Sequence, residues 1–257
     1  MNRVKFKHLG QTGLKLDLLS LTVLIDPYLS NSVQELDSPD LERLIPIPIS
    51  PQDLTEVDWV LITHDHLDHC DPHSMPVIAK ASPNAQFMGP KPVRTLLSRW
   101  GIAHHRIHPA LHNRLPLGSG LSVKAVLAAH PSIRMGSDGE SAAVGWIFER
   151  AGRRVYSAGD TSVCEELIAE LVNSGPIDTA LLPVNEDNFF RRRRGIVGNM
   201  SIREAFHLAA EVGIKKVVPV HWDLFEANSA LPAEIKAIYE GYTWPFSLLM
   251  NPEDIEL

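Results

Sequence analysis

Cysteine is nearly missing from this chain: Cys70 and Cys164 are the only two in 257 residues. Two distant thiols make no disulfide framework, which excludes the small stapled secreted folds and points to a reducing cytoplasm. No apolar run approaches the roughly 18 residues that a membrane span needs. The start, Met1-Asn2-Arg3-Val4-Lys5, is basic but has no apolar segment behind it, so no signal peptide is expected. An excess of basic residues is missing too: 24 Lys and Arg stand against 31 Asp and Glu, a net charge of −7, with a pI near 5.9. That balance argues against broad binding to a nucleic-acid backbone. No repeat, low-complexity tract or linker-like stretch divides the chain. The expectation is a soluble cytoplasmic protein, one domain over residues 1–257, with homo-oligomerisation left open.

What is there is ordinary for a globular domain, 44% hydrophobic and 21% charged, and long enough for one large core. Alternating apolar residues at Val4, Phe6, Leu14, Leu16 and Leu18 read as a hairpin around Gln11-Thr12-Gly13, and Leu21–Ile25 as a buried strand. From Ser30 to Gln52 the chain is polar and interrupted by Pro39, Pro46, Pro48 and Pro51. A loop that long in a compact domain is expected to cover a site. Further strands are read over 57–63, 86–88, 121–129, 143–149, 153–157, 179–184, 216–220 and 246–250. Helices are read over 72–80, 92–100, 162–172, 201–212 and 231–239, with a capping box at Ser201 and Glu204.

The densest chemistry follows the strand at 57–63. His64-Asp65-His66-Leu67-Asp68-His69 holds three histidines and two aspartates in six residues. The run is too short and too polar to fold into a core. Imidazole nitrogens and carboxylate oxygens are the donors that divalent transition ions take. Cys70, next in line, reads as a packed thiol beside better ligands. The rest of the chain adds a rule of position: His64, His130, Asp160 and His221 each stand just past the carboxyl end of a predicted strand. Loops at one rim of a sheet are where sites assemble.

In order, His64-x-His66-x-Asp68-His69, His130, Asp160 and His221 resemble the metallo-β-lactamase superfamily. Its fold is an α/β (α+β) αββα sandwich, two mixed sheets flanked by helices, with a two-metal site at one edge. Ile25-Asp26-Pro27-Tyr28-Leu29-Ser30-Asn31-Ser32, Ala158-Gly159-Asp160-Thr161, Leu182-Pro183-Val184-Asn185, Gly198-Asn199-Met200 and Pro219-Val220-His221-Trp222-Asp223-Leu224-Phe225 look more narrowly like its L-ascorbate-6-phosphate lactonase branch. Where that branch would carry a Gly-Arg-Asp-like turn after Asn185, this chain has Glu186-Asp187-Asn188. The resemblance implies His64, His66 and His130 on one ion, Asp68, His69 and His221 on the other, and Asp160 between them. Two divalent ions are expected, Zn2+ by donor chemistry, with Mn2+ the alternative that the branch suggests. The remaining seven histidines need no ligand role; His104, His105, His108 and His112 are expected at the surface.

The chemistry expected of such a site is hydrolytic. Two ions sharing a water bring its pKa from 15.7 towards about 7, so a bridging hydroxide can attack an ester, lactone or phosphoester. His64, His66 and Asp68 are the expected catalytic residues, with Asp68 moving the proton and Asp65 fixing a ligand ring by hydrogen bond. The substrate is expected to be a small anionic molecule such as a sugar-phosphate lactone. It would be held by Asn185, Asn199 and Arg191, the last by family position, with help from free N–H groups of the helix after Asn199-Met200-Ser201. A phosphodiesterase acting on a cyclic nucleotide, a phospholipid or RNA keeps the same site and is the alternative. An oxygen-reducing di-iron protein is disfavoured by His66, where redox members carry an acidic residue. A metal-binding module without turnover is the last reading.

Overall fold

The computed structural model describes residues 4–257; Met1 to Arg3, the start of the stretch read for a leader, lie outside them. β1 (Lys5–Gly10) and β2 (Gly13–Leu18) form the expected hairpin, turning through Gln11 and Thr12, and β3 (Leu21–Ile25) pairs antiparallel with β2. β4 (Trp59–Leu61), β5 (Gln86–Gly89) and β6 (Ile107–Pro109) extend the sheet in parallel, in the order β1-β2-β3-β4-β5-β6. The second sheet opens with an antiparallel meander of β7 (Leu115–Gly118), β8 (Leu121–Leu127), β9 (Val144–Arg150) and β10 (Arg153–Ser157). It continues in parallel through β11 (Thr179–Pro183), β12 (Lys216–Val220) and β13 (Ser247–Leu248). Among the described residues the α-helices are α1 (Ser32–Leu36), α2 (Met75–Ala81), α3 (Lys91–Arg99), α4 (Glu165–Asn173), α5 (Phe189–Arg193), α6 (Ile202–Val212) and α7 (Pro232–Glu240).

Three apolar layers stack these elements. Leu14, Leu16, Val23 and Ile25 of the first sheet meet Val123, Trp146, Phe148 and Val218 of the second. The outer face of the first sheet, with Leu24, Val60 and Phe87, takes Ile78 of α2 and Val93 and Leu97 of α3. The outer face of the second, with Ile147, Tyr156 and Leu182, takes Leu167 and Leu171 of α4, Phe206 of α6 and Ile235 of α7. Central strands buried on both faces explain why β3 and β11 read as unbroken apolar runs rather than alternating ones. The architecture is thus the expected αββα sandwich: two mixed sheets flanked by helices.

Departures from the expected elements have local causes. The strand expected over 57–63 is regular only at Trp59–Leu61. Ile62 N–H still bonds Met88 O (2.9 Å), but Thr63 N–H turns to the Asp26 carboxylate (2.8 Å), and the ladder stops. The helix expected from Pro72 begins at Met75 because the Asp71 carboxylate takes the His73 N–H (2.9 Å) and holds a turn. His108 is half-buried on β6 and bonded to Gln86 (2.8 Å), whereas His104, His105 and His112 are exposed as expected. The capping box forms as read, Ser201 Oγ accepting from Glu204 N–H and Glu204 from Ser201 N–H, and Gly213 (φ 77°) closes α6 in the left-handed region.

Candidate metal centre

All seven residues expected as ligands converge at one rim of the sandwich. His64 follows β4, His130 follows β8 and Asp160 follows β10, each by three residues, and His221 is the first residue after β12. They sort into two groups whose donor atoms lie within 4.8 Å of one another: His64, His66, His130 and Asp160, then Asp68, His69 and His221. In the first, His130 Nε2 lies 3.2 Å from His66 Nδ1 and 3.5 Å from Asp160 Oδ2. In the second, Asp160 Oδ1 lies 3.3 Å from His69 Nε2 and 3.2 Å from His221 Nε2, and Asp68 Oδ2 lies 3.4 Å from that same His221 nitrogen. Asp160 therefore turns one oxygen to each group.

A buried network aims the rings. The Asp26 carboxylate accepts from Thr63 N–H (2.8 Å) and from the Thr63 hydroxyl (2.7 Å), and lies 2.9 Å from His69 Nδ1. Having given its proton to Asp26, the Thr63 hydroxyl accepts from His64 Nδ1 (3.0 Å). Both arrangements place a ring proton on Nδ1 and so make Nε2, which faces the other donors, the nitrogen that would ligate. On the opposite side Gln11 Nε2 donates to Asp68 Oδ2 (2.8 Å), and Gln11 O accepts the His221 N–H (3.1 Å). Asp26, Gln11 and His221 all have positive φ (42°, 55° and 62°), conformations that cost energy in non-glycine residues and gather where a site demands them.

The electrostatics match this division. Burial, helped by neighbouring imidazoles, holds His64 well below its ordinary value, and burial brings His130 down to about 4 against the pull of Asp160. Burial also opposes charge on His69 and His221, but Asp160 and Asp68 outweigh it. They push His69 well up, with help from Asp26, and His221 to about 9. Burial would raise Asp68 and Asp160; His69 and His221 outweigh it and hold both carboxyls far below the usual range. Whether a divalent ion suits these residues is answered by their atoms: His64 Nε2, His69 Nε2 and Asp160 Oδ1 are buried without a hydrogen-bond partner. Nitrogen and carboxylate donors in that state fit a transition ion, which satisfies them together.

The structure redistributes the other expected roles. Asp65 lines the open cavity and makes no hydrogen bond to a histidine among the described residues; Asp26, 43 positions from His69, does that work instead. Arg191 is not among the residues that line the cavity. Its guanidinium donates to three backbone carbonyls, Ala227 (3.2 Å), Glu186 (2.5 Å) and Ser229 (2.6 Å), and so clamps two loops together. Asn199 donates to Asn185 (2.9 Å), which donates to Asn228 (3.0 Å). Of these three, only Asn228 reaches the cavity wall. At the start of α6 the capping box engages the Ser201 and Glu204 amides, and no residue of that first turn lines the cavity. Cys70 is fully buried, the packed thiol expected. Sequence reasoning missed Gln11 and Thr63 altogether; their signal was a place at a strand end and a hairpin tip, which no residue type marks.

The family described as the beta-lactamase superfamily domain matches residues 22–222. A UPF0173 metal-dependent hydrolase of Pyrobaculum calidifontis is 30% identical over 257 residues, covering 98% of this chain and 99% of its own. An uncharacterised protein of Mycobacterium tuberculosis (strain H37Rv) is 30% identical over 225 residues, 87% of this chain. The chain spans 60% of the length of that mycobacterial relative. The solved structure of Igni18, a metallo hydrolase from Ignicoccus hospitalis, superposes with a TM-score of 0.71. It covers 100% of this chain and 98% of that one at 21% identity, a likeness of fold.

Proposed function

The chain belongs to the metallo-β-lactamase superfamily, and from that premise we propose that it is a metal-dependent hydrolase of an ester or lactone, working with two divalent ions. The observation that carries the reading is Asp160, one carboxylate oxygen on each half of a seven-residue donor set of which five are buried and His66 and Asp68 half-buried. His64, His66 and His130 would hold one ion, Asp68, His69 and His221 the other, with Asp160 shared; Zn2+ suits the donors and Mn2+ is the competitor. Bound ions of this kind make water nucleophilic at neutral pH and polarise the oxygen of the bond to be broken.

The chain's own groups supply the rest. Thr63 and Asp26 fix the rings of His64 and His69 before substrate arrives. Asp68 lines the cavity, is kept ionised by His69 and His221, and takes a hydrogen bond from Gln11. It accepts a proton from the attacking water and returns it to the leaving oxygen. The polar segment at 30–52 forms one wall through Val33, Asp37, Ser38 and Leu41. The lactonase branch suggests a lactone as the ring opened. Its sugar-phosphate form needs a cation beside the cluster; Arg191 does not provide one, and Arg194, which lines the cavity, is ion-paired with Asp40.

Metal analysis of the purified protein, followed by assay on lactones, carboxylic esters and a model phosphodiester, tests the reading. About two ions per chain with turnover of lactone or ester is expected, and Asp68→Asn should cut kcat by about 10²–10⁴-fold. Turnover confined to the phosphodiester would replace the reading with the alternative, and a fully loaded but inert protein would end it.

A further inference from the structure

The cavity over the metal centre has a volume of about 330 Å³, with His66, Asp68, Asp160 and His221 at its floor. Above that floor its walls carry Val33, Leu41, Leu67, Ile196, Val197 and Phe225. Val33, Leu41 and Phe225 are buried members of one apolar cluster that also holds Tyr28 and Leu224, with Leu67 and Ile196 packed on it. The wall is therefore built into the fold. Leu44 N–H bonds Leu224 O (2.7 Å) and Arg43 bridges Phe225, fastening the 30–52 segment to the loop after β12.

Charge on these walls runs against an anion. Arg194 is the one ammonium or guanidinium lining the cavity among the described residues, and it is exposed and ion-paired with Asp40. Asp37 and Asp65 line the same walls with the opposite sign. A phosphate or carboxylate laid there would lose water and face two carboxylates, with no unpaired cation on the walls among the described residues. A hydrocarbon laid there would be desolvated against six apolar side chains.

We propose that these walls hold the uncharged hydrocarbon arm of the substrate, so that the substrate class is a neutral alkyl- or acyl-substituted lactone or ester. The inference rests on the hydrolase reading for its reaction, while the binding preference can be measured apart from turnover. The probes are two unreactive five-membered lactams, one bearing a hexyl chain and one a phosphate on the same carbon, titrated into metal-loaded protein. The matching lactones are assayed in parallel.

The hexyl lactam should bind at least tenfold more tightly than the phosphate one. Among neutral lactones kcat/KM should rise about three- to fourfold per added methylene until the cavity is filled. Ile196→Arg, which puts a cation on the wall away from the ligands, should erase that preference while metal content stays at its wild-type value; Val197→Arg makes the same test if the first variant fails to fold. Equal or tighter binding of the phosphate lactam overturns the proposal, as does binding of neither. If the hexyl lactam binds but no lactone is opened, the cavity assignment is upheld and the hydrolase reading is the part that fails.

Discussion

Asp26 shows how much one buried carboxylate can organise. It ends a strand by taking the Thr63 N–H, fixes the Thr63 hydroxyl that orients His64, and holds His69 directly. Asp26→Ala should therefore weaken metal binding by about 10–100-fold, read by competition against a chelator. Unchanged affinity would remove its positioning role. The donors themselves were legible in the sequence because a metal site needs a few residue types crowded together, and His64 to His69 crowd them. The residue that aims them was not legible. Asp65 stands beside the ligands in the chain, but its side chain lies at the cavity, while Asp26 reaches His69 across 43 positions. Arg191 misled for the same reason: charge marks a residue, not the direction in which its guanidinium points. Protonation gives a second prediction at this scale. His64 and His130, lowered, are neutral at pH 7 and ready to ligate; His69 and His221, raised, carry protons that an ion must displace. Affinity for the ion held by Asp68, His69 and His221 should rise with pH, towards about tenfold per unit for each proton released, with the His221 share levelling off near pH 9. Calorimetric titration at pH 6 and pH 8 checks it. Equal affinity at both, with no proton release, would contradict the assignment.

Among the elements, the strand ends of β4, β8, β10 and β12 carry the site, and their approach to one another is a packing problem. Gly159, just before Asp160, has φ 61° and lies so close to Thr63 that an added Cβ would sit 2.7 Å from its Cγ2 and 3.0 Å from its Oγ1. Gly159→Ala should force Thr63 aside, loosen His64 and cost about 1–3 kcal/mol of stability. Metal retention should fall with it; denaturant titration and metal analysis of the variant are the measurements, and a fully loaded variant of wild-type stability would refute the coupling. Long apolar strands and amphipathic helices were readable because their periodicity survives burial. β6, β7, α5 and α1, which lies within the 30–52 stretch read as irregular, were not. β6 and β7 are the outer strands of their sheets, only three and four residues long, and each contains proline (Pro109, Pro116), which an edge tolerates and a pattern search discounts. α5 is five residues started by Asn188, whose side chain accepts from Phe190 and Arg191 N–H, inside a charged run that reads as loop.

For the molecule as a whole, the sandwich buries three apolar layers and leaves a buried polar cluster at the seam between its sheets. Raised imidazoles stabilise the metal-free fold below their unfolded value near 6.5, and that contribution is lost as pH climbs through about 9 for His221. Ions bound only by the native state should reverse the trend, adding about 2.7 kcal/mol at a free concentration of 100 Kd. Chelation should then lower Tm more at pH 8 than at pH 6; a Tm indifferent to chelator at both would mean that nothing is bound. The claim beneath all of this is that seven side chains from separate strand ends hold a pair of ions through a shared Asp160. Anomalous diffraction from crystals grown with Zn2+ or Mn2+ measures it most directly. The account predicts two peaks, one against His64, His66 and His130 and one against Asp68, His69 and His221, with Asp160 touching both. A single peak, or peaks away from these residues, would contradict it.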